Sequence, residues 1–358
     1  MIQTLKQHCR WFFIICAIST VGCATSRSSS VPAPPSNATS EPNASEESHE
    51  HPTVALTESD FAAEGDRIVY LDGRTGAQLT ENEVFERACA SDFVVIGESH
   101  DQASHHRLQK RAIVACKRAL GITSGSTSPP NKLVVGLEMV TWTNQGKLDA
   151  YQSGEVDLQG LEASLDWSRT WGYAFDLYAE IIQEAPLLVG LNAPRELVRE
   201  VAKQGVDNVS PEGRKMLPEM DLSNEEHKST IRQVFEHHHP PTGSGTAFER
   251  FYAAQVLWDE TMAEKAVDAF VREGGELDGS AQSAASTRVI VLAGNGHVAG
   301  YYGIPNRIMR RAPDRSVTTI VPLLLQPGQD PSEAATEALS AHIADIIMLE
   351  LPPLQVEM

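Results

Sequence analysis

The sequence predicts an α/β fold: a three-layer, mainly parallel sheet flanked by helices, with an inserted helical subdomain. Three observations predict it. Short apolar runs at Phe93–Ile96, Lys132–Leu137, Leu187–Leu191 and Arg288–Ala293 alternate with stretches of helical periodicity. Each run hands over to polar residues, where parallel sheets usually bind their ligands. Two long polar segments, about 144–184 and 210–272, carry helical patterns without a strand.

The chain begins with a separate unit. Lys6 and Arg10 precede the apolar run Trp11–Gly22, which is short for a membrane span. Thr20-Val21-Gly22-Cys23 then resembles a bacterial lipoprotein signal, although Thr20 stands where an aliphatic residue is usual. The resemblance implies removal of residues 1–22, acylation of Cys23 and a lipid anchor in the cell envelope, with the outer membrane facing the periplasm as the expected site. Residues 23–60 are rich in Ser, Pro, Asn and Glu and read as a disordered tether. The folded domain is expected over 61–358.

Removing Lys6 and Arg10 with the leader takes the formal charge from −19 to −21. So acidic a body excludes nucleic-acid binding through a general basic surface. Cys89 and Cys116 are the two cysteines left beyond the anchor. Cys116 falls on an apolar helix face and Cys89 near a helix end, which favours two buried free thiols over a bridge.

The elements follow in order. Arg67–Leu71 reads as a first strand, closed by the turn Asp72-Gly73. Thr80 and Glu83 form a capping box for a helix over Glu81–Ala90. The central strand Phe93–Ile96 turns at Gly97 into a helix over Gln102–Leu120, with Leu108, Ala112, Ala115, Cys116 and Ala119 at helical spacing. Gly121 caps it. After a Gly/Ser/Pro loop comes Lys132–Leu137, then the helical segment Asn144–Glu184. Leu187–Leu191 leads into Asn192-Ala193-Pro194-Arg195, where proline suits the first turn of the next helix. The segments 144–184 and 210–272 together are expected to cap the sheet. Val317–Leu324 and Ile343–Leu351 are expected as the last strands.

If these strands are parallel, right-handed crossovers put Glu98, His100, Glu138, Arg195 and His297 on one sheet edge. Two histidines and two carboxylates can bind a divalent metal or act as a general acid/base set. Two facing carboxylates need a cation, and Arg195 is the expected one. His105, His106 and Gln109 fall in the helix beside them, with backbone hydrogen bonding as plausible a role as ligation.

These motifs resemble those of a known family. Gly97-Glu98-Ser99-His100-Asp101 with His105-His106 and Gln109 is similar to the opening motif of the ChaN-like haem-binding lipoproteins, within the Tiki/erythromycin-esterase-like superfamily. The resemblance continues through Gly136-Leu137-Glu138-Met139, Trp171-Gly172, Asn192–Arg195, Ala254-Gln255, Asp259-Glu260, Gly294–His297 and Gly303–Arg307. It covers roughly 66–353, in family order. It implies an α/β sheet with a helical subdomain, and haem binding at the envelope, with haem held between two subunits as one arrangement.

Under that resemblance, the aromatic segment around Tyr173 would meet the haem face, and Arg195 and Arg307 its propionates. Tyr173, Tyr178, Tyr252, Tyr301 or Tyr302 would supply a phenolate to ferric iron. His105, His106, Gln255 and Asp259 complete the expected cofactor-binding set. The alternative is a metal-dependent hydrolase of esterase or peptidase type. It would use the two Gly-x-x-His motifs, with Glu98, His100, Glu138 and His297 as catalytic groups or metal ligands. Covalent c-type haem is excluded, because no Cys-x-x-Cys-His occurs. There is also no Gly-x-Ser-x-Gly and no P-loop.

Overall fold

The computed structural model describes residues 53–61, 67–123, 131–238, 245–278 and 286–352. The leader, Cys23 and the tether up to residue 52 lie outside the described residues. Eight strands form one sheet: β1 (Ile68–Asp72), β2 (Gln78–Leu79), β3 (Phe93–Glu98), β4 (Lys132–Thr141), β5 (Leu187–Asn192), β6 (Thr287–Gly294), β7 (Val317–Leu324) and β8 (Ile346–Glu350). Their order is β2-β1-β8-β7-β3-β6-β4-β5. Strands β3 to β8 run parallel, and the edge pair β1 and β2 is antiparallel.

Twelve α-helices accompany it among the described residues. They are α1 (Glu81–Ala90), α2 (Ala103–Ala119), α3 (Gln145–Gln152), α4 (Leu158–Leu165), α5 (Trp167–Thr170), α6 (Asp176–Glu184) and α7 (Arg195–Gln204). Then follow α8 (Pro211–Met216), α9 (Glu225–His238), α10 (Gly245–Arg272), α11 (Ile304–Arg311) and α12 (Pro331–Ser340). None is long and apolar enough to cross a membrane.

Alternation along buried strands makes the three layers. Val95, Val134, Val291 and Val321 pack against α10, α11 and α12 on one face. Val94, Ile96, Val135 and Ile290 pack against α1, α2 and α6 on the other. The capping box at Thr80 and Glu83 is present and starts α1 as expected.

The structure corrects four expectations. Cys89 and Cys116 form a disulfide rather than two free thiols: α1 packs on α2 and brings their Cα atoms to 5.0 Å. Glu98 and Glu138 lie inside the ends of β3 and β4, because the ladders continue past the apolar runs. The last strand is shorter than Ile343–Leu351, since Ile343 and Ala344 belong to the turn entering β8. Helix α10 is no outer cap. It buries Met262, Ala263, Ala266, Ala269 and Phe270 in the core beneath the sheet.

The packed body also starts before residue 61. Leu56 is buried in the core, and its backbone N–H donates to Ser332 Oγ at 2.8 Å while its carbonyl accepts from the same hydroxyl at 3.0 Å.

Candidate functional site

Three neighbouring parallel strands, β3, β6 and β4, end side by side and set the floor of the site. Glu98 and Gly294 are register partners at the ends of β3 and β6. A side chain at Gly294 would put its Cβ 2.9 Å from His100 Cε1, so glycine there lets the His100 ring close over the strand ends.

Glu98 is the hub of one half. Its Oε1 accepts from the Tyr178 hydroxyl at 2.7 Å and lies 2.7 Å from His100 Nδ1. Its Oε2 accepts from Gln109 Nε2 at 2.7 Å and lies 3.5 Å from His106 Nδ1. Burial opposes the charge, yet the His100 hydrogen bond, the charge of the His106 ring and the Tyr178 hydroxyl bring the Glu98 carboxyl down to about 2. Burial likewise disfavours charge on His100, but its bond to Glu98 and the Glu138 charge prevail and raise its pKa. The pair is an ion pair sunk in the protein. The rings of Trp171 and Tyr173 pack against His100 at 4.7 and 5.0 Å between centroids.

His297 is the hub of the other half. It stands on the short helix Asn295–His297 directly after β6. Its Nδ1 is 2.6 Å from Asp259 Oδ1 of α10, and its Nε2 is 3.5 Å from Glu138 Oε1. Glu138 Oε2 accepts the Gly294 N–H at 2.6 Å. Burial works against a charged His297, but Glu138 and Asp259 raise it to about 9. Asp259 Oδ2 lies 3.8 Å from Nε2 of the buried His227 on α9.

The remaining expected residues divide sharply. His105 is fully buried, and its Nδ1 accepts the Ser99 N–H at 2.8 Å. Burial, opposed weakly by the Glu98 charge, lowers it to about 4, so it stays neutral and faces no ligand. The buried His106 meets the His100 carbonyl through Nε2 at 3.2 Å. Tyr178 is fully buried, and its pKa rises through burial and the Glu98 charge beside it. It is a hydrogen-bond donor to Glu98, not a phenolate for iron. Gln255 is buried, and its Nε2 has no hydrogen-bond partner among the described residues.

Both expected arginines are corrected. Arg195 is exposed in the first turn of α7 and donates to the Arg169 carbonyl at 3.1 Å, away from Glu98 and Glu138. The histidines already neutralise those carboxylates. Arg307 is buried, pairs with Glu260 at 3.2 Å and donates to the Gly303 carbonyl at 3.1 Å, so it has no face for a propionate.

The expected divalent metal site is not supported either. Among the described residues, no group of three or more His, Cys, Asp or Glu is arranged to hold a metal ion. Each site histidine is turned to a carboxylate, and the carboxylates to N–H donors, so donor atoms do not converge on one point. His227 escaped sequence reasoning. It lies in a polar helical run, and nothing local marks it as a partner of Asp259.

Residues 84–308 match the family described as haem-binding uptake, Tiki superfamily, ChaN. The chain belongs to this family. Among solved structures, the ChaN of Campylobacter jejuni, described with cofacial heme binding, superposes with a TM-score of 0.57 at 18% identity, covering 79% of this chain and 96% of that one. At that identity the likeness shows a shared ChaN fold. The type III effector HopBA1 (TM-score 0.37, 16% identity, 75% and 92% covered) and a Bacillus cereus protein (0.38, 10%, 78% and 94%) are more distant. No curated protein matches. In this ChaN-family chain the two Gly-x-x-His turns, Gly97–His100 and Gly294–His297, stand on adjacent strands and face Glu138 from both sides.

Proposed function

We propose that this protein is a lipoprotein of the cell envelope, anchored through Cys23 to the outer membrane on its periplasmic side, that binds haem for uptake or storage. The observation that carries the reading is the family match over residues 84–308. The residues present suit a flat, apolar ligand with one iron. Trp171, Tyr173 and Trp258 are half-buried aromatics near His100 and His297, at the carboxyl ends of the parallel strands. With Arg195 and Arg307 committed elsewhere, the propionates are assigned to solvent. The Cys89–Cys116 disulfide supports an oxidising compartment.

Titration of the purified chain with hemin tests this, with a saturable Soret shift expected. A linear, unsaturable response would sink it. Sedimentation with and without hemin tests a second proposal, that two copies of the chain meet across bound haem. For the anchor, Cys23→Ala is expected to abolish lipid labelling and release the protein from membranes; labelling that persists rules Cys23 out.

A hydrolase is the second reading. It rests on His297, which is held by Asp259 on one side and faces Glu138 on the other, an arrangement able to move a proton. Esterase or peptidase turnover abolished by His297→Ala would favour it over haem binding.

A further inference from the structure

We propose that His297, through Nε2, is the protein ligand to the haem iron, and that Asp259 is its positioning residue. This rests on the haem reading above and deepens it.

Accessibility comes first. The His297 side chain is 16% exposed, while those of His100, His105, His106 and His227 are 4% exposed or less. The buried four are also held by the protein. His100 is bound to Glu98, His105 to the Ser99 N–H, and His106 to the His100 carbonyl. His227 lies between Asp259 and the rings of Tyr252 and Tyr302.

Orientation follows. Asp259 is itself almost wholly buried and takes the Nδ1 side of His297 at 2.6 Å. That leaves Nε2 as the outward nitrogen. It has no hydrogen bond among the described residues, and its contact with Glu138 Oε1 is 3.5 Å. A carboxylate behind the second ring nitrogen is the usual companion of a metal-bound histidine, because it fixes the ring and raises its basicity. Such a ring favours ferric over ferrous iron.

The phenolic alternatives are weaker. Tyr178 and Tyr252 are fully buried, and their hydroxyls donate to Glu98 and to the Asn224 carbonyl. The Tyr301 hydroxyl is bonded to Thr319 and Asp345, and burial raises its pKa. Tyr302 stacks on His227. Tyr173 is half-buried and remains the competing ligand.

The test uses ferric hemin and the full chain in detergent, followed by absorption, electron paramagnetic resonance and resonance Raman spectra. His297→Ala is expected to lose the wild-type spectrum and bind hemin at least about tenfold more weakly, with added imidazole restoring the spectrum. Asp259→Asn keeps the volume of the side chain. It is expected to retain hemin while lowering the iron–histidine stretching frequency and raising the reduction potential, changes that a merely structural role would not produce. If His297→Ala keeps the wild-type spectrum with hemin bound, the proposal is overturned while the haem reading stands. Tyr173→Phe then identifies the ligand. Should His297→Ala not fold, an unchanged iron–histidine frequency in Asp259→Asn overturns the proposal instead. No saturable hemin binding by the wild-type chain overturns the haem reading itself.

Discussion

Two buried histidines make this protein sensitive to mild acid. His105 and His227 are both lowered to about 4, chiefly because burial penalises their charge. In the unfolded chain each would titrate near its model value of 6.5. Between those values the unfolded state binds more protons, so stability present above pH 6.5 is lost as pH falls towards 4. Each site contributes on the order of 3 kcal/mol. Glu98, held at about 2 against a model value of 4.5, extends the loss below pH 4.5. We expect urea midpoints of the ligand-free protein to drop steeply from pH 7 to pH 4.5, and the doubly substituted His105→Gln/His227→Gln protein to lose much of that slope. Equal midpoints at the two pH values would contradict the burial argument. Chemical type was legible at this scale, since Glu98, His100, Glu138 and His297 all end near one another. Orientation was not: Arg195 and Arg307 look equivalent on paper, yet one lies in solvent and the other is locked to Glu260.

At the scale of elements, α1 and α2 are tied by Cys89–Cys116 across 27 residues of sequence. Such a link stabilises mainly by restricting the unfolded chain, typically by about 2–4 kcal/mol. Reduction is therefore expected to lower the urea midpoint by a corresponding amount, and alkylation before reduction should label neither thiol. Two reactive thiols in the unreduced protein would contradict the pairing. The helix positions were readable because capping residues and apolar spacing are local signals. Their mutual packing is not local, and it decides whether two thiols meet. Strand ends were also read short, because β3 and β4 are extended by partners in the ladder rather than by their own apolar content.

Over the whole molecule, Glu260 joins the helical layer. Its carboxylate contacts Arg307 at 3.2 Å, Arg310 at 2.8 Å and Arg311 at 2.5 Å, and accepts the Asp221 N–H at 3.0 Å. One fully buried anion thus holds α10, α11 and the chain before α9 together. Removing one partner of a buried ionic group leaves the others uncompensated, at a cost of about 3–5 kcal/mol. Glu260→Gln is expected to lose stability on that scale in chemical denaturation, and more than Asp221→Asn, whose carboxylate pairs with Arg310 nearer the surface at 3.2 Å. A Glu260→Gln protein as stable as the parent would show that the arginines find other partners.

The sequence by itself determined the layered α/β class, the parallel core strands, the helix starts and the family. Each depends on periodicity, caps or ordered motifs, which are carried by residues close together in the chain. It also determined which chemical groups reach the carboxyl edge of the sheet, because a parallel strand delivers whatever follows it to that edge. Only the tertiary structure decided how those groups pair. Asp259 approaches His297 from 38 residues away, Tyr178 reaches Glu98 from 80, and His227 meets Asp259 through helix packing. Burial, which sets charge and accessibility at each group, is a property of the assembled layers. It therefore separates the half-exposed His297 from four histidines of the same type that the protein keeps for itself.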